Sequence, residues 1–177
     1  MLCLIGSSQR LTTGNQCMAT AQKATLKVGD KAPQFDLSAD GGGEVSLSDL
    51  KGKIVVLYFY PKDDTSGCTA EAIAFSKDAK AFKQAGAFVI GVSKDSVASH
   101  DKFKAKHKLT VTLAADEDTK IAEAYGVWVE KSMYGRRYMG MERATFLIDG
   151  KGVIRNIWHK VKVPGHSADV LAAVKAL

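Results

Sequence analysis

The stretch Ile54-Val-Val-Leu-Tyr-Phe-Tyr60 constrains the fold of this chain more than any other. Its β-branched, leucine and aromatic side chains follow one another with no polar alternation, so both faces of the segment must be covered. A strand of that kind belongs in the interior of a sheet that carries further layers on both sides. Pro61 closes the run, because proline has no N–H to give a ladder. Beyond it, Ala72, Phe75, Ala79 and Phe82 recur at helical spacing between Thr69 and Ala85, with Gly86 as the stop, which predicts an amphipathic helix.

The alternation continues along the chain. Ala87–Val92 reads as a second buried strand, Ser96–His107 as a helix, Thr110–Leu113 as a strand and Thr119–Tyr125 as a short helix stopped by Gly126. Ala144–Ile148 and Val153–Ile157 flank the turn signal Asp149-Gly150, and Ala168–Leu177 reads as a closing helix. Upstream, Phe35–Leu37 and Val45–Leu47 flank Asp40-Gly-Gly-Gly-Glu44 and predict an N-terminal β-hairpin. Strands alternating with helices predict an α/β sandwich with a mixed central sheet, built as one domain over residues 26–177.

Residues 1–25 differ in kind: they contain no acid, few large apolar residues and no period, and are expected to form a poorly ordered extension. Met1-Leu-Cys-Leu-Ile5 is too short for a secretory h-region, which leaves an extension upstream of a start at Met18 or a targeting tail. The longest apolar run, Ile54–Tyr60, is far short of the roughly 18 residues that span a bilayer, so a protein without a membrane segment is expected. The net charge of +6 is spread over interleaved lysines. Its densest patch, His100–Lys108, reads as a solvated helix face flanking Phe103 rather than a nucleic-acid site, since no aromatic-rich or Gly-rich motif accompanies it. Three cysteines, at positions 3, 17 and 68, fit neither a disulfide scaffold nor paired metal ligands and point to free thiols in a reducing, cytoplasmic setting. His100, His107, His159 and His166 have no ligand spacing, so no metal is expected; His159 and His166 flank the Pro164-Gly165 turn and read as solvated.

The chemistry concentrates in Tyr60-Pro-Lys-Asp-Asp-Thr-Ser-Gly-Cys-Thr-Ala-Glu71. A buried strand delivers the chain to the C-terminal edge of the sheet, where α/β folds place their ligands, and Cys68 falls at the start of the following helix. There a thiol faces unpaired N–H groups and the positive end of the helix dipole, both of which favour thiolate. The alternative is a small buried hydrophobe, against which stand the small or polar neighbours Gly67 and Thr69. Thr65 is near enough for its hydroxyl to reach the sulfur, or it is a helix N-cap. Glu71 is a partner in the site or a first-turn acid. Pro61 ends the strand and its ring can roof a pocket over the sulfur.

These residues carry a resemblance. Pro61-x-x-x-Thr65-x-x-Cys68 matches the peroxiredoxin active-site motif. Phe59-Tyr-Pro-Lys-Asp-Asp64 with Cys68-Thr-Ala-Glu71 resembles the bacterioferritin comigratory protein branch of that family. So do Gly29-Asp-Lys-Ala-Pro33, Tyr125-Gly-Val-Trp128, Lys131-Ser-Met-Tyr-Gly135 and Met139–Asp149, in the branch's order. The resemblance implies a thioredoxin-like three-layer fold and a cofactor-free thiol peroxidase, monomeric as the branch often is. Cys68 would then be the peroxidatic cysteine, Thr65 a hydroxyl on thiolate and peroxide, and Arg143 the guanidinium beside them. Gly67 and Cys68 would offer backbone N–H groups. Apart from the resemblance, Arg143 reads as a surface partner of Glu142.

Two departures bear on the second half of the cycle. The branch commonly carries a resolving cysteine five residues after the peroxidatic one, where this chain has Ile73, and no cysteine occurs from 69 to 177. Regeneration must come from an external thiol (thioredoxin, glutaredoxin or glutathione) or from Cys3 or Cys17. With Ile73 in place, the helix need not unwind to meet a partner sulfur. Ser66 stands where the family usually has proline, which leaves the turn less rigid. The rival functions are a peroxide sensor or relay that passes oxidation to a partner, and a thioredoxin-fold binding module without chemistry.

Overall fold

The computed structural model describes residues 25–177, so the expectations for the 1–25 extension, Thr25 apart and with Cys3, Cys17 and Met18 among them, lie outside the described residues. The elements, in chain order, are β1 (Asp36–Ala39), β2 (Glu44–Ser46), β3 (Ile54–Phe59), α1 (Ser66–Gln84), β4 (Ala87–Ser93) and α2 (Val97–His107). They are followed by β5 (Thr112–Ala115), α3 (Lys120–Ala124), β6 (Trp128–Met133), β7 (Arg136–Met141), β8 (Ala144–Ile148), β9 (Ile154–Trp158) and α4 (His166–Lys175). Seven strands form one mixed sheet in the order β2-β1-β5-β4-β3-β8-β9, and β6 and β7 pair separately.

The run Ile54–Tyr60 occupies the position its composition demands. β3 is parallel to β4, from Ile54↔Ala87 to Phe59↔Val92, and antiparallel to β8, from Val55↔Ile148 to Phe59↔Ala144. Because strand side chains alternate between faces, one run serves two cores. Val56, Tyr58 and Tyr60 pack with Phe75 and Phe82 of α1, Phe103 of α2 and Val170 and Val174 of α4. Val55, Leu57 and Phe59 face the other way, into a core shared with Leu37 and Val45 of the N-terminal hairpin and Ala122 of α3. The result is the expected thioredoxin-like α/β sandwich with helices on both faces.

One close approach shapes the layer under α1. Tyr58 lies beside Gly91 in the β3–β4 register, and a Cβ at Gly91 would come within 2.5 Å of the Tyr58 ring and hydroxyl. Glycine at 91 is what lets the ring lie flat across β4 and stack on Phe75, with centroids 4.7 Å apart.

Four departures from the sequence reading go beyond a shift of one or two residues at the end of an element. α1 begins at Ser66, not Thr69, because the helix is extended by Ser66-Gly67-Cys68, residues with no apolar period to announce it. The hairpin β6–β7 had no expectation; its two-residue turn, Tyr134-Gly135, has both residues at positive φ (51° and 77°), a geometry that matches strand twist. His166 is not solvated: it is 5% exposed, its Nε2 lies 2.7 Å from Thr145 Oγ1, and its ring meets Phe75 and Trp158 edge-on. The packing of the first turn of α4 on β8 and α1 buries it, and burial pulls its pKa down. Finally, His100 is fully buried on the inner side of α2, although Lys102 and Lys106 on that helix and Lys108 at its C-cap are exposed. No helix among the described residues is long and apolar enough to cross a membrane.

Candidate active site

β3 and β4 run parallel and end at the same edge of the sheet, and β8, antiparallel to β3, begins there. That topology brings Cys68, in the first turn of α1, to Arg143, the residue immediately before β8. Arg143 Nη2 donates to Cys68 Sγ at 3.2 Å, and Nη1 donates to Glu71 Oε2. Gly67 makes room: a Cβ there would lie 3.2 Å from Arg143 Nη2. The alternative for Arg143, a surface pairing with Glu142, is not formed, and Glu142 bonds His159 Nδ1 at 2.9 Å.

Cys68 is 2% exposed. The N–H groups of Ser66, Gly67 and Cys68 precede the first intrahelical bond, Thr69 N–H to Thr65 C=O, and the Thr65 side chain does not cap them. The first turn, which carries Cys68, therefore keeps three N–H groups without an intrahelical partner, at the positive end of the helix. Thr65 occupies the N-cap position, but its hydroxyl donates to the Lys62 carbonyl at 3.1 Å and makes no hydrogen bond to Cys68. With its proton engaged there, the oxygen's lone pairs are free to accept. Pro61 stands half-buried where the chain leaves β3.

Glu71 lies one helical turn after Cys68 and on the same face, which is why both reach one guanidinium. It is 2% exposed, and its Oε1 has no hydrogen-bond partner. Burial pushes the carboxyl up to about 7, with Arg143 pulling the other way. The guanidinium, 16% exposed, keeps its charge against burial because Glu71 and Cys68 hold it, while burial raises the carboxyl toward neutral pH. Beside them the Tyr58 hydroxyl is buried without a partner, and burial, then the charges of Glu71 and Cys68, push its pKa well up. Nothing in the sequence distinguishes Tyr58 from its apolar neighbours in β3.

The sign of the Glu71 shift sets a pH dependence. Below pH 4.5 the carboxyl is neutral whether the chain is folded or unfolded; between 4.5 and about 7 the unfolded chain loses the proton first, so stability falls as pH rises through that window. Glu71→Gln has no proton to lose. Relative to the unsubstituted protein it is expected to gain on the order of 1 to 3 kcal/mol between pH 5 and pH 8. Denaturant melts at those two pH values check this, and a pH-independent offset between the two proteins would contradict it.

A buried thiol at a helix start, a first turn without a side-chain cap and a guanidinium on the sulfur, all carried by a thioredoxin-like sheet, are what a thiol-dependent peroxidase calls for. Residues 28–157 match the AhpC/TSA family, and the chain belongs to that family. Peroxiredoxin Bcp of Bacillus subtilis is 50% identical over 151 residues, which are 85% of this chain and 96% of that protein. Xanthomonas campestris peroxiredoxin Q superposes with a TM-score of 0.79 at 44% identity, covering 87% of this chain and 98% of that one. A bacterioferritin comigratory protein of the same organism, studied for alkyl peroxide reduction, superposes with a TM-score of 0.77 at 45% identity and covers 80% of this chain and 90% of its own.

Proposed function

We propose that this peroxiredoxin reduces hydrogen peroxide and organic hydroperoxides through a sulfenic acid on Cys68, as a one-cysteine, cytoplasmic, monomeric enzyme regenerated by an external thiol. The observation that carries the reading is the bond from Arg143 Nη2 to Cys68 Sγ, in a helix turn whose amides are otherwise unclaimed. The thiolate attacks one peroxide oxygen in line with the O–O bond; the S–O bond forms as the O–O bond breaks, and the electron pair leaves on the distal oxygen. Arg143 and the amides near Gly67 and Cys68 stabilise the charge that develops there. A proton completes the water or alcohol, and Cys68 is left as the sulfenic acid. Thr65, as an acceptor, orients the peroxide O–H. Pro61 shields the sulfur from water, and Glu71 holds the guanidinium in place.

A reductant thiol then condenses with the sulfenic acid to a mixed disulfide, releasing water, and a second thiol frees Cys68. Thioredoxin, glutaredoxin and glutathione are the candidates. No cysteine lies between 69 and 177, which favours an external donor, and Cys3 and Cys17 are the internal alternatives. Turnover with each reductant offered separately, before and after Cys3 and Cys17 are changed to serine, tests the proposal. At least one external thiol is expected to sustain turnover in the double variant at about the original rate. Mass spectrometry after one equivalent of peroxide is expected to find sulfenic acid on Cys68, and a Cys17–Cys68 or Cys3–Cys68 linked peptide would replace the one-cysteine scheme with an internal one.

A further inference from the structure

The turn that carries Thr65 and leads to Cys68 is tied down by a buried polar cluster that the reaction itself does not use. Asp63 is 7% exposed, and its carboxylate collects three donors: the Tyr60 hydroxyl at 2.7 Å, the Ser99 hydroxyl at 2.8 Å and His100 Nδ1 at 2.9 Å. Its backbone N–H is held as well, by Asp95 Oδ2 at 2.8 Å, an oxygen that also accepts from the Ser93 hydroxyl at 2.8 Å. Side chain and main chain of one turn residue are thus bound to the end of β3, the end of β4 and the first turns of α2. The next residue repeats the tie. Asp64, at φ 57°, meets His107 Nε2 at 2.7 Å and Lys106 Nζ at 2.5 Å in the last turn of α2.

This arrangement is expensive in stability terms. A carboxylate taken out of water has to be repaid by its donors, and they hold its pKa below the ordinary carboxylate value in spite of burial. His100 is fully buried, with Nδ1 donating to the Asp63 carboxylate and no hydrogen-bond partner at Nε2. An apolar cluster of the same volume stabilises a fold at least as well. What directional bonds supply and apolar packing does not is a fixed orientation of the turn.

We propose that Tyr60, Asp63, Ser99 and His100 form a clamp that holds the 61–65 turn, and with it the first turn of α1, in the attacking geometry, so that Asp63 and His100 are positioning residues for peroxide reduction. The inference rests on the peroxidase reading above. It follows from the demands of that reaction: the amides of Gly67 and Cys68 and the Arg143 guanidinium must all converge on one departing oxygen, and a misplacement of about 1 Å costs about 100-fold in rate. Alkylation of the same sulfur by iodoacetamide needs no such convergence.

The test compares the two reactions at pH 7 in His100→Leu and His100→Asn, the second of which sets an amide N–H where Nδ1–H stood. Single-turnover oxidation of Cys68 by hydrogen peroxide is expected to slow about 10- to 100-fold in His100→Leu and to recover to within about 3-fold in His100→Asn, with alkylation changed less than about 3-fold in both. A merely structural role lowers the melting temperature and leaves the ratio of the two rates unmoved. Should His100→Leu fail to fold, Tyr60→Phe keeps the ring and removes one donor; about a 3- to 10-fold loss confined to the peroxide reaction is expected. An unsubstituted protein that does not react with peroxide overturns the peroxidase reading, and the clamp with it. One that reacts, with a folded His100→Leu or Tyr60→Phe equally fast, or with His100→Asn as slow as His100→Leu, overturns the clamp alone.

Discussion

Replacing Cys68 with serine is expected to lower hydroperoxide turnover by about 10⁴-fold or more, to background, with little effect on the fold. Serine differs by one atom and keeps Arg143 as a donor, so the buried pocket stays filled and satisfied. Its hydroxyl, however, is far too weak an acid to be an anion at neutral pH even at a helix start, and it lacks the polarisable electron pair that attacks an O–O bond. No other thiol lies among the described residues to take over. Steady-state turnover with a thiol reductant, alongside a thermal melt, checks both halves. Retention of more than about one percent of activity would remove Cys68 from the centre of the mechanism.

Arg143→Met is expected to lower kcat/KM for peroxide by about 10²- to 10³-fold, the scale on which a positioned donor to a developing oxyanion acts. Arg143→Lys is expected to recover little of it. The guanidinium serves Glu71 through Nη1 and Cys68 through Nη2 at the same time, and a single ammonium nitrogen on a flexible stem cannot span both. The stability cost is expected to be modest, about 1 to 2 kcal/mol at pH 7 and below the usual cost of breaking a buried pair, because Glu71, already pushed up to about 7, takes a proton when its partner is gone. A lysine variant with wild-type kcat/KM would show that charge alone, not the two-nitrogen fork, matters at this position.

Most of the layer order was legible because burial on both faces leaves a compositional trace. Ile54–Tyr60 could only be an interior strand, and the spacing of Ala72, Phe75 and Phe82 could only place one helix face on it. Local signals failed where an element is held by something else. The hairpin β6–β7 is largely exposed and carries no apolar alternation, so only its Tyr134-Gly135 turn could have announced it. His166 and His100 were misplaced for a related reason: a histidine beside lysines or a Pro-Gly turn looks solvated until the packing of its helix is known.

The position of Cys68, in the helix that follows a buried strand, was a property of the sequence, as was the lack of any cysteine from 69 to 177. Chain order along a strand–turn–helix unit is local, and local geometry is dictated by spacing. The pairing of Arg143 with Cys68 and Glu71, and the gathering of Tyr60, Asp63, Ser99 and His100, were decided only by the tertiary structure. They join residues dozens of positions apart across β3, β8 and α2, and in a single sequence no spacing encodes which distant strand or helix will end beside which. The place of the proposed nucleophile is written in the chain; the sheet order selects which distant groups meet it.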